Sequence, residues 1–250
     1  MNTGSRIGKY IINSSALFLR HDDVLLASFP RTGSTWVRLF LCNLISLSEW
    51  NGREVNRAIL NATMPRLGHD NLFLSWPHAT IPRVIRVHRE YSRALGRPRS
   101  IGIVRDPRDV IVSFYHFTRD RRRLHDETFS EFIRDPSFGL EKWCRHYVSW
   151  RDHWKLALKY EEMLQHPERE LSRVLDFLGV TCTEGVQREA IGRANFHKSR
   201  ESEKLASPAR EADALFFRHG SSGQWRVYFS DEDLSYYREV TDKYGAGIYA

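Results

Sequence analysis

Residues 24–36, with the sequence VLLASFPRTGSTW, constrain the fold of this 250-residue chain more than any other stretch. The apolar run at the start is typical of a buried strand, and the turn that follows it, with Pro30 and Gly33, opens directly into a helical pattern. Apolar residues then recur at helical spacing at Trp36, Val37, Phe40, Leu41, Leu44 and Ile45. The stretch therefore predicts a strand, a tight turn and a helix that packs back on the strand, which is the building unit of a parallel α/β sheet.

The turn between this strand and helix predicts an anion-binding site. A helix N-terminus presents unpaired N–H groups and the positive end of the helix dipole, and both attract phosphate or sulfate. The Arg31 cation and the hydroxyls of Thr32, Ser34 and Thr35 are expected to converge on the same point. The G-x-x-x-x-G-K-[ST] spacing of nucleoside triphosphatases is missing, which weakens that interpretation. From this segment alone, an ordinary βα turn with a hydroxyl-rich cap stays open.

Residues 101–117 repeat the arrangement. Their apolar start predicts a buried strand, and Asp106-Pro107 supplies a helix cap and a first-turn proline. Arg105 lies at the carboxyl end of this strand, where ligands bind open α/β sheets, and Ser113 is expected to point back toward the same anion. The alternative is a surface arginine beside a capped helix, with Ser113 merely helical.

A third segment, residues 217–225 with the sequence FRHGSSGQW, has no helical or strand period and contains two glycines. It is expected to be a loop whose Arg218 and backbone N–H groups suit a terminal phosphate. A glycine-rich loop without such a role is the alternative.

Together, the three segments resemble the signatures of the sulfotransferase family that uses 3′-phosphoadenosine 5′-phosphosulfate (PAPS). The family pattern Pro-Lys-Ser-Gly-Thr-Thr-Trp corresponds to residues 30–36, PRTGSTW, and its Arg-Lys-Gly-x-x-Gly-Asp-Trp loop corresponds to residues 218–225, RHGSSGQW. Arg105 and Ser113 match the family's second signature. The resemblance implies a three-layer αβα architecture with a central parallel sheet, the P-loop-NTPase-like sulfotransferase fold. It also implies PAPS as the co-substrate.

The resemblance further implies which residues act. Residues 82–88, PRVIRVH, are similar to the family's Pro-Arg-x-x-Lys-Thr-His segment, so His88 is expected to be the catalytic base. An imidazole suits this role at neutral pH because its pKa lies near 6.5. Arg31 and Arg86 stand where the family has lysines, and both are expected to stabilise charge on the leaving group rather than to move protons. His78 and His116 are the rival bases.

The same resemblance implies the cofactor-binding set. It contains Arg31, Thr32, Gly33, Ser34 and Thr35 in the first loop, Arg105, Ser113, Arg218, His219 and Gly220 around the 3′-phosphate, Trp36 and Phe196 around the adenine, and Tyr160 at the base or a neighbouring phosphate. Trp36 also fits the apolar face of its helix, and Tyr160 also fits a strand end on the sheet.

Composition favours a single sulfotransferase domain over residues 1–250, since 41% hydrophobic content is enough for one sizeable core. The net charge of +7 suits an anionic nucleotide and does not by itself indicate nucleic acid. Three widely spaced cysteines favour a reducing compartment, and no apolar run reaches 18 residues. We therefore expect a cytoplasmic protein with no membrane span. No metal-binding motif is present, so no metal is expected.

The expected strands lie near residues 24–28, 84–88, 101–104 and 156–160, and the expected helices near 34–47, 107–122, 138–154, 168–178 and 231–242. Asp22-Asp23 is expected to form a solvated turn. The predicted reaction moves a sulfuryl group from PAPS to a hydroxyl or amine of a small-molecule or glycan acceptor by direct in-line transfer. A nucleotide kinase or other NTPase, and a nucleotide-binding pseudoenzyme, are the alternatives. Acceptor identity and oligomeric state stay open.

Overall fold

The structure, a computed structural model, describes residues 15–96, 98–121, 126–195, 200–201, 203–204 and 220–249. Within these ranges, the strands are β1 Val24–Ser28, β2 Val84–Val87, β3 Arg99–Val104 and β4 Leu156–Lys159. They pair in parallel in the order β2-β1-β3-β4. The carboxyl ends of all four strands therefore lie along one edge of the sheet.

Helices cover both faces of this sheet. In the described ranges they are α1 Ser34–Glu49, α2 Arg57–Thr63, α3 Pro107–His116, α4 Phe129–Arg134, α5 Leu140–Trp150, α6 Tyr160–Gln165, α7 Pro167–Leu178, α8 Glu184–Arg193 and α9 Asp231–Tyr244. Because side chains alternate along a strand, Val24 and Leu26 pack with Phe40 of α1, whereas Leu25 and Ala27 pack into a separate cluster. The predicted α/β class with a parallel sheet is confirmed.

The helix predicted over 107–122 differs from the structure. The α-helix ends at His116 and continues as one π-helical turn, Phe117–Arg121. The Thr118 hydroxyl lies 2.8 Å from the Phe114 carbonyl oxygen and 3.0 Å from that of Tyr115. A side chain that bonds to the carbonyls of the preceding turn competes with the regular hydrogen-bond ladder, which accounts for the change in helix type.

Residues 49–80, which show no clear period, contain α2. The Asn56 side chain caps this helix by accepting a hydrogen bond of 2.9 Å from the Ile59 N–H. A local capping residue thus starts a helix that the apolar pattern does not reveal. Three further helices, α4, α6 and α8, are also absent from the sequence prediction.

The expectation of a solvated turn at Asp22-Asp23 is wrong for Asp23, which is 1% exposed. Its carboxylate accepts two hydrogen bonds, of 2.7 and 2.8 Å, from the Arg83 guanidinium. Asp23 precedes β1 and Arg83 precedes β2, so this buried bidentate pair ties together the amino ends of two neighbouring strands.

No helix in the described ranges is both long and apolar enough to cross a bilayer. Nor do three or more His, Cys, Asp or Glu side chains of the described residues gather into a group that could hold a metal ion.

Candidate active site

Each strand of the sheet delivers residues to one cavity of about 440 Å³ at the carboxyl edge. The turn at residues 30–35 follows β1, and His88 follows β2. Arg105 follows β3, and Tyr160 follows β4 as the first residue of α6. The four strands are adjacent and parallel, so segments far apart in sequence meet at this edge, as in other open α/β sheets.

The turn after β1 has an unusual backbone. Arg31 has a φ of 73° and Gly33 a φ of 112°. A Cβ atom at Gly33 would lie 2.7 Å from Tyr160 Cδ2, so only glycine allows the Tyr160 ring to lie against the turn. Gly33 is also the N-cap of α1 and provides no side-chain hydrogen bond to the first helical turn. The first-turn N–H groups therefore receive no hydrogen bond from a capping side chain, and Ser34 and Thr35 of that turn line the cavity.

Thr32 differs from its neighbours in this turn. It is 1% exposed, and its hydroxyl donates a hydrogen bond of 2.7 Å to the Phe29 carbonyl. It does not line the cavity. The structure thus gives the Thr32 hydroxyl a role in holding the turn closed, whereas Ser34 and Thr35 line the cavity.

The first and second signature segments contact each other directly. Arg31 Nε donates a hydrogen bond of 3.1 Å to Ser113 Oγ on α3. The Arg31 guanidinium also lies 5.1 Å from the centre of the Phe117 ring, in the π-helical turn. Arg31 of the first segment thus contacts Ser113 of the second, a contact that the sequence did not predict.

Arg105 links three segments around the cavity. Its Nη2 donates to the Ser221 carbonyl at 2.9 Å, and its guanidinium stacks on the Tyr160 ring at 4.4 Å. The buried Nε of Arg105 has no hydrogen-bond partner among the described residues. Trp36 likewise lines the cavity with a buried indole Nε1 that lacks a partner, and its ring meets Tyr160 edge-on at 6.2 Å. Trp36 packs against the core cluster of α1 as well, which fits its place on the apolar face of this helix.

Asp109 is a site residue that sequence reasoning missed. It is 2% exposed on α3, and its carboxylate accepts backbone hydrogen bonds from Gly223 at 2.6 Å and Trp225 at 3.1 Å. These bonds hold the third segment, of which Gly220, Ser221 and Gln224 line the cavity. The sequence feature that could have identified Asp109 is the presence of an acidic residue three positions after the Asp106 cap. Phe196, Arg218 and His219 lie outside the described residues.

His88 is oriented by a backbone carbonyl. Its Nδ1 lies 2.7 Å from the Ser28 carbonyl oxygen, and because that oxygen can only accept, Nδ1 carries the proton and Nε2 keeps its lone pair. Burial, followed by the charge of Arg86, lowers the pKa of His88 well below its ordinary value of 6.5. The imidazole is therefore neutral at pH 7 and able to accept a proton.

The two rival histidines lie elsewhere. His78 pairs with the Glu49 carboxylate at 2.7 Å, and His116 contacts Asp120 at 2.7 Å and the Tyr228 hydroxyl at 2.9 Å. Neither lines the cavity. Of the three candidate bases, His88 is the one that the fold brings to the site.

Arg86 lies on β2, two residues before His88 and on the same face of the strand. Its Nε is buried without a hydrogen-bond partner. Burial, followed by the charge of Arg66, lowers the pKa of Arg86 to about 10, so this side chain stays protonated at pH 7. The cavity thus holds buried donors, on Trp36, Arg86 and Arg105, for which the described part of the chain supplies no acceptor, and these fit an anionic ligand rich in acceptor oxygens.

Known proteins share both sequence and fold with this chain. The sulfotransferase domain family matches residues 21–247. Sulfotransferase 1C2 of Rattus norvegicus is 27% identical over 244 residues, which cover 84% of this chain and 78% of that protein.

Two solved structures superpose with a TM-score of 0.71 each. Mouse sulfotransferase SULT7A1 complexed with PAP is 23% identical, and the match covers 95% of this chain and 90% of that chain. Retinol dehydratase in complex with androsterone and inactive cofactor PAP is 21% identical, and the match covers 96% and 87%. The resemblance carried by the three signature segments is confirmed: the chain belongs to the sulfotransferase family, and its reaction is sulfuryl transfer.

Proposed function

We propose that this enzyme transfers a sulfuryl group from PAPS to a hydroxyl or amine acceptor in a direct in-line reaction, with His88 as the general base. Family membership supplies the reaction class. The observation that carries the role of His88 is its hydrogen bond to the Ser28 carbonyl, which fixes the tautomer of a ring that lines the cavity. PAPS supplies an activated sulfuryl group when bound. The residues of this chain bind and orient the two substrates and deprotonate the acceptor.

The proton of the acceptor goes to His88 Nε2. As the acceptor oxygen or nitrogen bonds to sulfur it loses its proton, and a positioned base typically contributes about 10² to 10⁴ in rate. A lowered pKa keeps the imidazole in its neutral form, and the Nδ1–H bond to Ser28 stabilises the imidazolium that results. His88 can therefore return to its neutral form by releasing the proton to solvent at neutral pH.

The first loop and α1 hold the phosphosulfate. We assign this role to Arg31, Gly33 and the first-turn N–H groups at Ser34 and Thr35, because a helix N-terminus and a cation here meet without a competing carboxylate from the loop. Arg31 adopts a left-handed backbone conformation that costs about 1–3 kcal/mol in a non-glycine residue. The turn thus keeps a strained backbone that directs the guanidinium to Ser113.

Arg105 and Ser113 are assigned to the 3′-phosphate, and Trp36 and Tyr160 to the adenine. The orphaned Nε of Arg105 supports the first assignment, since a phosphate oxygen would satisfy it. The edge-on Trp36 and Tyr160 rings support the second. PAP is present in the solved structures of mouse sulfotransferase SULT7A1 and retinol dehydratase, which share this fold. For Phe196, Arg218 and His219 the role stays a prediction from the sequence.

Arg31 and Arg86 take an electrostatic role. Negative charge develops on the leaving phosphate, and preorganised cations near it lower the barrier by several kcal/mol. A guanidinium remains charged at every relevant pH, so neither residue donates a proton. Organisation as one domain over residues 1–250 and a cytoplasmic location also stay predictions from the sequence.

Calorimetric titration of the purified protein tests the nucleotide assignment. PAP, adenosine 5′-phosphate and ATP with Mg²⁺ are titrated in parallel. Each charge-assisted bond to the 3′-phosphate is worth about 1.5–3 kcal/mol, so PAP should bind at least tenfold more tightly than adenosine 5′-phosphate. Equal or tighter binding of ATP with Mg²⁺ would contradict the proposal, and tight PAP binding without any turnover would identify a pseudoenzyme.

A further inference from the structure

We infer that the acceptor carries an anionic group, a carboxylate, phosphate or sulfate, which Arg57 and Arg66 hold while His88 deprotonates the acceptor hydroxyl or amine. This inference rests on the proposed function and names the substrate class of the same site. It is carried by the wall of the cavity on the β2 side, where α2 and the segment before β2 contribute Arg57, Asn61, Arg66 and His69 beside Arg86.

The fold places these side chains together by backbone pairing. Residue 66 forms a parallel bridge with residue 86 on β2, and the Leu67 N–H donates to the Arg86 carbonyl at 2.9 Å. Paired residues in parallel strands project to the same face, so Arg66 stands beside Arg86. Arg57 and Asn61 are four residues apart on α2 and share the helix face that lines the cavity.

The charge of this wall is positive. Among the described residues that line the cavity, Asp109 is the only carboxylate, and it already accepts hydrogen bonds from the Gly223 and Trp225 N–H groups. Near Arg86 the described carboxylate is Asp70, which the Arg66 guanidinium already engages through two bonds of 2.8 Å. After burial, the charge of Arg66 is the next influence that lowers the pKa of Arg86, and Arg57 acts in the same direction. An anion is the group that would lower the electrostatic energy of this wall.

A buried arginine behind this wall gives a second reason to expect an anionic ligand. Arg38, 1% exposed in α1, lies behind the wall and is a further cationic neighbour of Arg86 and Arg66. Its Nη2 donates to the Met64 carbonyl at 2.8 Å, at the end of α2. Sites for uncharged ligands are lined mainly by apolar and aromatic side chains with few polar groups. Clustered guanidinium groups repel one another, and a bound anion offsets that cost.

Spacing limits the size of the acceptor. Arg86 and His88 are two residues apart in extended chain, which places them about 7 Å apart along the strand direction. Arg66 pairs with Arg86 and also lines the cavity. The reacting hydroxyl or amine and the anionic group are therefore separated by roughly the width of one aryl or sugar ring.

A matched pair of probes tests the inference by binding. Protein saturated with PAP is titrated calorimetrically with 4-hydroxyphenylacetate and with 4-hydroxyphenylacetamide, which differ in one charge. The carboxylate should bind at least tenfold more tightly, and its affinity alone should fall when salt is raised, because a charge-assisted bond is screened. Arg57→Gln and Arg66→Gln should each reduce the preference severalfold. Arg53→Gln, an exposed arginine outside the cavity, is the matched control and should leave it unchanged.

Three results would overturn the inference: equal or tighter binding of the amide, a preference that survives in Arg66→Gln, or no binding of the carboxylate at millimolar concentration. PAP binding in the same protein separates this failure from that of the proposed function. A protein that binds PAP but shows no preference for the carboxylate loses only the anionic acceptor, whereas a protein that does not bind PAP loses both.

Discussion

Gly33→Ala is the substitution for which the structure gives the sharpest expectation. At a φ of 112°, an L-residue is strained, at a cost of about 1–2 kcal/mol. The added Cβ would also lie 2.7 Å from Tyr160 Cδ2 and 3.1 Å from Cε2, so the ring must move. Displacing a packed side chain typically costs about 1–3 kcal/mol. The free energy of unfolding should therefore fall by about 2–5 kcal/mol.

The same substitution should weaken nucleotide binding. Tyr160 is 6% exposed and stacks under the Arg105 guanidinium at 4.4 Å, so a displaced ring also moves a cation assigned to the 3′-phosphate. Loss of one charge-assisted bond is worth about 1.5–3 kcal/mol, which is at least tenfold in affinity for PAP. Urea denaturation measures the first effect, and calorimetric titration with PAP measures the second.

Gly179→Ala separates backbone strain from the contact with Tyr160. Gly179 follows α7 at a φ of 71°, and a Cβ there would meet no atom within 4 Å. This control should lose only about 1–2 kcal/mol, with unchanged affinity for PAP. Equal losses of stability in the two variants, or unaltered PAP affinity in Gly33→Ala, would refute the reasoning that this glycine is required by the Tyr160 contact.

Three further predictions follow from single contacts. Because the pKa of His88 is lowered, the acidic limb of the pH profile of kcat/KM should have its midpoint below pH 6.5, and a midpoint above that value would count against the His88 assignment. Asp109→Asn removes the charge that holds the Gly223 and Trp225 N–H groups. The free energy of unfolding, measured by urea denaturation, should fall by about 1–3 kcal/mol, and PAP should bind more weakly. An unchanged affinity for PAP would show that Asp109 does not support the site. Asp23→Asn disrupts the buried pair with Arg83 at the opposite edge of the sheet. The free energy of unfolding should fall by about 3–5 kcal/mol while the affinity for PAP is retained. A loss of PAP affinity would show instead that the two edges of the sheet are coupled.

The part of the site that the sequence could predict lies where strands end. Arg31, His88 and Arg105 each directly follow an apolar run or lie within three residues of its end, and parallel strands bring such positions to one edge. The local sequence therefore sufficed to predict that these residues lie at the site. The order of the segments along the chain supported the resemblance to the family. The choice of His88 over His78 and His116 likewise depended on its place after β2.

Other features depend on contacts between distant segments, which no local pattern encodes. Asp109 acquires its role from backbone N–H groups more than a hundred residues away. Asp23 is buried because Arg83 arrives from the next strand along the sheet. In both cases the partner of a buried carboxylate comes from a segment far away in the sequence.

Transfer of labelled sulfur from PAPS by wild type and His88→Asn tests the central claim most directly. The asparagine amide can still donate to the Ser28 carbonyl, so the variant keeps that contact and loses only the Nε2 base. With a panel of hydroxyl and amine acceptors that includes carboxylated ones, wild type should label at least one acceptor. His88→Asn should do so about 10² to 10⁴ times more slowly with PAP affinity unchanged, and His78→Asn should match wild type. Transfer by His88→Asn at the wild-type rate would contradict the account.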